Sequence, residues 1–180
     1  MSEFAEMIVR GKVVRDTFVK LESLESLPER GDLLVTLSQF QSAQQALLSY
    51  RKAGAGQLGV LLAPTDDPQV LQAHFGQLDL IAVDFPKFAD GRGFSIAWLL
   101  RRRLGWQGQL RAVGPLLRDQ LFYLARVGFD AYCLRAGQDL HAALASLNDF
   151  SVRYQGSVDQ AAPLFARHPA ISNSPEPVHV

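Results

Sequence analysis

Five short apolar runs alternate with stretches of helical periodicity between residues 33 and 147. This alternation constrains the chain more than any other feature. The runs are Leu33–Leu37, Leu58–Ala63, Leu78–Asp84, Leu110–Val113 and Phe129–Leu134. Each is too short for a helix and is bounded by turn residues, so each reads as a buried strand. The intervening segments have the period and punctuation of helices. Ser42–Lys52 carries Ala43, Ala46, Leu47 and Tyr50 at helical spacing, with Gly54 and Gly56 beyond its end. Asp66 or Asp67 can cap a helix whose first position is Pro68. A third helical pattern runs to Leu104 and stops at Gly105, a fourth opens at Pro115 and stops at Gly128, and Asp139 caps a fifth through Leu147. Strands that alternate with helices assemble through right-handed crossovers into a parallel sheet. The expected fold is α/β, a five-stranded, mostly parallel sheet with helices on both faces. Half of a β/α barrel is the alternative.

The flanks are simpler. Met7–Val9, Gly11, Val13–Val14 and Phe18–Val19 read as an N-terminal β-hairpin on or beside the main domain, followed by a connector, so that residues 1–30 precede the alternation. A single domain is expected over 1–155, with a partly flexible extension over 156–180, where periodicity fades and prolines accumulate. A chain of 180 residues that is 48% hydrophobic suffices for one sizeable core. Eighteen basic and eighteen acidic residues cancel, which argues against a nucleic-acid binder. Cys133 is the only cysteine, so no intramolecular disulfide or cysteine-rich metal site can form. The four histidines lack ligand spacing, and no metal is expected. No apolar run is long enough to span a bilayer and the N-terminus lacks a basic leader, so a cytoplasmic protein with no membrane partner is expected.

The candidate site sits where the third strand hands over to its helix, at Phe85-Pro86-Lys87-Phe88-Ala89-Asp90-Gly91-Arg92-Gly93-Phe94-Ser95. A turn that leads into a helix exposes backbone N–H groups and suits an anion. Glycines at 91 and 93 let the backbone approach a ligand, and Arg92 can fork onto two oxygens. Asp90, Gly91, Arg92, Gly93 and Ser95 are therefore the ligand-binding candidates, for sulfite, sulfate or phosphate. The alternative is a structural turn, with Asp90 capping the helix and Arg92 paired to a nearby acid. The turn is neither a P-loop nor a dinucleotide fingerprint, and no cofactor is evident. Asp84, Lys87 and Asp119 are the catalytic candidates. Asp119, Tyr123 and Arg126 recur at intervals that place them on one helix face.

From Gly91 to Arg118 there are six arginines and no Asp or Glu. Arg101, Arg102, Arg103 and Arg111 form a candidate docking patch for an acidic partner. The alternative is a solvated helix end, with arginine stacked on Trp98 or Trp106.

Two resemblances extend this reading. Leu78–Asp84 followed by Pro86, and Gly128–Leu134 followed by Asp139-Leu140, resemble a receiver domain of the flavodoxin-like class. That resemblance places a phosphoacceptor at Asp84. Ser38-Gln39-Phe40 stands where the acidic pair is required, however, and Leu134-Arg135 where a lysine is required, so the magnesium site cannot be built and only an interaction module remains. A closer resemblance covers Ile8 to Gln155. The 85–95 segment, Leu99–Arg103, Leu110–Gly114, Arg118–Gln120 and Arg126–Asp130 resemble the signature of the domain of unknown function 934 family, described as probable oxidoreductases or accessory proteins of assimilatory sulfite reduction. The resemblance implies an accessory role, docking to sulfite reductase or a ferredoxin-type electron donor. Val127 stands where many members carry a cysteine and Pro115 where an acid is common, so a thiol at 127 is not required for whatever the protein does.

Overall fold

The computed structural model describes residues 6–87, 90–148 and 156–160. The expected extension therefore lies outside the described residues from 161 onward, as do Phe88 and Ala89 of the signature turn. Eight strands form one sheet: β1 (Glu6–Val9), β2 (Lys12–Arg15), β3 (Phe18–Lys20), β4 (Asp32–Thr36), β5 (Leu58–Leu62), β6 (Leu80–Asp84), β7 (Gln109–Leu116) and β8 (Ala131–Leu134). The helices are α1 (Leu37–Ser42), α2 (Gln44–Lys52), α3 (Arg92–Leu99), α4 (Leu121–Arg126) and α5 (Leu140–Ala145). A 3-10 segment, Pro68–Gln77, replaces an α-helix between β5 and β6.

The strand order is β2-β1-β8-β7-β6-β5-β4-β3. From β3 to β8 every pairing is parallel and every strand lies beside its sequence neighbour. This order overturns the flavodoxin- or receiver-like expectation. A doubly wound sheet reverses direction at a switch point and so places helices on both faces. Here winding never reverses, and right-handed crossovers put all helices on one face. The partition of the core agrees. One large cluster joins the outward strand residues (Leu33, Val35, Val60, Ile81, Val83, Leu110) to the helices through Phe40, Leu47, Ile96 and Leu124. A second cluster, Leu34, Leu80 and Ala82 with Phe18, Leu61 and Val113, contains strand residues alone. The architecture is an eight-stranded, mostly parallel sheet curled into a half-barrel.

The curl follows from the chain itself. β2 and β3 lie at opposite edges of the sheet, yet only Asp16 and Thr17 separate them. Three peptide steps reach about 11 Å at most, so the two edges must meet at this corner. The concave face is thereby covered by its own sheet, which explains why Leu80, Ile81, Ala82 and Val83 are all fully buried although helices pack on one face only.

Three further expectations are corrected. The N-terminal hairpin belongs to the main sheet, with β1 antiparallel to β8 through Ile8 and Val9. Phe18–Lys20 is a separate parallel strand beside β4. Pro115 sits inside β7 and does not open a helix; the helical turn begins at Arg118.

Candidate functional site

Strand alternation decides what the mouth of the half-barrel presents. On β6, Leu80, Ala82 and Asp84 share the concave face, with Arg111 and Val113 beside them on β7, Leu34 and Thr36 on β4, and Phe18 and Lys20 on β3. Asp84 ends its strand, so its carboxyl lies at the C-terminal rim, where the sites of β/α barrels are built. Burial pushes this carboxyl above its usual range, against the opposing pull of Lys20 and of the Phe85 N–H. Leu61 and Val113, the latter level with Asp84 on β7, are half-buried and add apolar surface to this face. The arrangement is an acid that holds its proton more firmly than usual, a nearby ammonium group, and apolar surface.

The glycine-rich turn leads away from this rim. Asp90 Oδ1 accepts the Arg92 N–H at 3.2 Å, and the Arg92 guanidinium forks back onto the same carboxylate through Nε (2.9 Å) and Nη2 (2.7 Å). That fork holds the half-buried Asp90 carboxyl down at about 2. Gly93 is buried, and a Cβ there would lie 2.5 Å from Cζ of Phe85. Its lack of a side chain admits the Phe85 ring between β6 and α3. Gly91 faces open space, and Lys87, Arg92 and Ser95 are exposed.

The remaining predicted residues separate into two groups. Arg101 lies inward, donating to the carbonyls of Gly128 (2.9 Å), Trp106 (2.8 Å) and Gly108 (2.9 Å), with Asp130 3.5 Å away. Arg111 is 3% exposed and donates from Nη1 to both oxygens of Asp16 at 3.0 Å, its guanidinium 5.0 Å from the Phe18 ring centre. These two arginines are structural in placement. Arg102 and Arg103 are exposed, and Arg103 stands 5.7 Å from the ring of Trp98, itself exposed. Asp119, Tyr123 and Arg126 are brought together, lining a cavity between α3 and α4 rather than the barrel mouth. Burial pushes the Cys133 thiol up to about 11, which makes it a poor nucleophile.

Sequence reasoning missed Lys20, Thr36 and the Asp16–Phe18 corner. The signal was present as the two-residue period from Phe18 to Lys20, but a three-residue strand is too short to register. Among the described residues no group of three or more His, Cys, Asp or Glu side chains could hold a metal ion, and no helix is long and apolar enough to cross a membrane.

Residues 59–165 match a family profile described as bacterial protein of unknown function (DUF934). The match covers more than half of the chain, and the chain belongs to that family. No match was found among curated proteins.

Proposed function

We propose that this DUF934 protein binds a small oxyanion at the C-terminal mouth of its half-barrel, as a small-molecule enzyme or sensor. The observation that carries the reading is Asp84: a carboxyl with a raised pKa at the C-terminal end of a central strand, with Lys20 beside it. On taking up a proton this carboxyl can donate a hydrogen bond to an anion, and the ammonium group supplies the countercharge. Lys20 and Asp84 are the primary contacts, and the exposed Lys87 on the following turn adds positive charge. Arg92 is committed to Asp90, so engaging a ligand through it requires that fork to open. The resemblance to accessory proteins of sulfite reduction makes sulfite the first candidate ligand, and a cytoplasmic setting follows from the same context. Calorimetric titration with sulfite, sulfate and phosphate tests the reading. Binding to the wild type that is lost in Lys20→Met supports it; absence of binding by all three anions refutes it.

A second reading is favoured by a separate observation, the exposed cluster of Trp98, Arg102 and Arg103. An aromatic anchor flanked by cations in an acid-free segment suits docking to an acidic protein such as sulfite reductase or a ferredoxin-type electron donor. Co-purification at low salt that is abolished by Arg102→Glu with Arg103→Glu supports this role. Retention of the partner by that double variant ends it.

A further inference from the structure

The seam between α3 and α4 holds a cavity of about 560 Å3, on the helix-covered outside of the sheet and separate from the barrel mouth. Its size falls within the roughly 300–1,000 Å3 of small-molecule sites. Phe94 contributes from α3, Tyr123, Arg126 and Val127 from α4 and its end, Asp119 from the turn before α4, and Ser157 from the segment packed against α4.

The polar groups here differ in how far they are already engaged. Ser157 Oγ donates to the Arg126 carbonyl at 2.7 Å, and the Arg126 guanidinium is 3.7 Å from the Asp159 carboxylate. Asp119 is exposed and makes no hydrogen bond or ion pair among the described residues. It lies one helical turn before Tyr123, which is 58% exposed. The cavity thus offers two aromatic side chains from different helices, an aliphatic wall at Val127, and one uncommitted anionic acceptor. Aromatic walls select a flat ring, and a carboxylate acceptor selects N–H donors.

We propose that this cavity binds a planar nitrogen heterocycle that presents N–H donors, with Tyr123 and Phe94 packing on the ring and Asp119 accepting from it. The site is independent of the oxyanion reading, since neither Asp84 nor Lys20 lines it.

The test is titration of the full-length protein with adenine and with riboflavin, using benzoate as a flat ring that lacks N–H donors. Saturable binding of at least one heterocycle and none of benzoate is expected. Asp119→Asn, which keeps an acceptor oxygen but removes its charge, should weaken the affinity by about tenfold. Tyr123→Ala should weaken it by a similar factor, and Tyr123→Phe should largely restore it. Both positions are exposed, so circular dichroism should report unchanged folding, and Asp84→Asn should leave the affinity unaltered. No binding of either heterocycle up to about 1 mM, equal binding of benzoate, or affinity unchanged by both Asp119→Asn and Tyr123→Ala would overturn the proposal.

Discussion

At the scale of single residues, Asp84 combines a functional position with a cost to stability. Its folded pKa is raised, chiefly by burial, so between its unfolded and folded values the native state binds more protons than the unfolded chain. Stability therefore falls as pH rises through that window and stays lower above it. Asp84→Asn should be more stable than wild type near neutral pH. Its advantage in urea midpoint should grow from about pH 4 upward and then level off; an advantage independent of pH would contradict the burial argument. The glycines of the turn make a second contrast. Gly93→Ala drives a Cβ into the Phe85 ring and should cost about 1–3 kcal/mol. Gly91→Ala meets nothing within 4 Å and has ordinary backbone angles, so it should be neutral or gain up to about 1 kcal/mol. Denaturant melts of the pair check both. The sequence showed that glycine mattered at this turn, but whether it clears space for a ligand or for Phe85 depends on a ring from the preceding strand. That contact is tertiary, and no local pattern encodes it.

Among the elements, the run Arg101-Arg102-Arg103 shows how three identical side chains acquire different tasks. α3 continues as a π-turn over Leu100–Leu104 and ends at left-handed Gly105 (φ 80°). Arg101 turns inward there and ties this terminus to the loop before β7 and to the loop before β8. Arg101→Met strands three carbonyls and should destabilise by about 3 kcal/mol, whereas Arg102→Met should stay within about 0.5 kcal/mol. Equal thermal midpoints for the two variants would remove the distinction. Consecutive helical residues lie about 100° apart, so the three cannot share a face, but that spacing does not say which one faces inward. The carbonyls that select Arg101 come from residues 106, 108 and 128. Pro115 illustrates the opposite failure. Its fixed backbone angle and missing N–H suit a helix start, yet it also fits an irregular strand, and the register shift between Ala112 and Leu116 in the β7–β8 pairing accommodates it.

For the whole molecule, strand-helix alternation was legible and strand order was not, because the same alternation serves doubly wound sheets and barrels alike. The deciding fact is the two-residue link from β2 to β3, which brings opposite edges together. Its lock is the pair Asp16–Arg111, with Arg111 almost fully buried. Asp16→Ala leaves that guanidinium buried without its carboxylate and should cost about 3–5 kcal/mol, while adding Arg111→Met should recover much of the loss. Additive losses in the double variant would show that the two residues do not act as a pair. The closed corner also carries β3 and its Lys20 round to the mouth that Asp84 faces, so the site exists only because the sheet curls. The most direct test of that site is the pH dependence of sulfate binding by calorimetry from about pH 4 upward, through the raised titration of Asp84. An anion that binds beside a proton-retaining carboxyl should bind more tightly as pH falls, with proton uptake, and Asp84→Asn should bind with the dependence flattened. No binding, or identical pH dependence in the wild type and Asp84→Asn, would contradict the account.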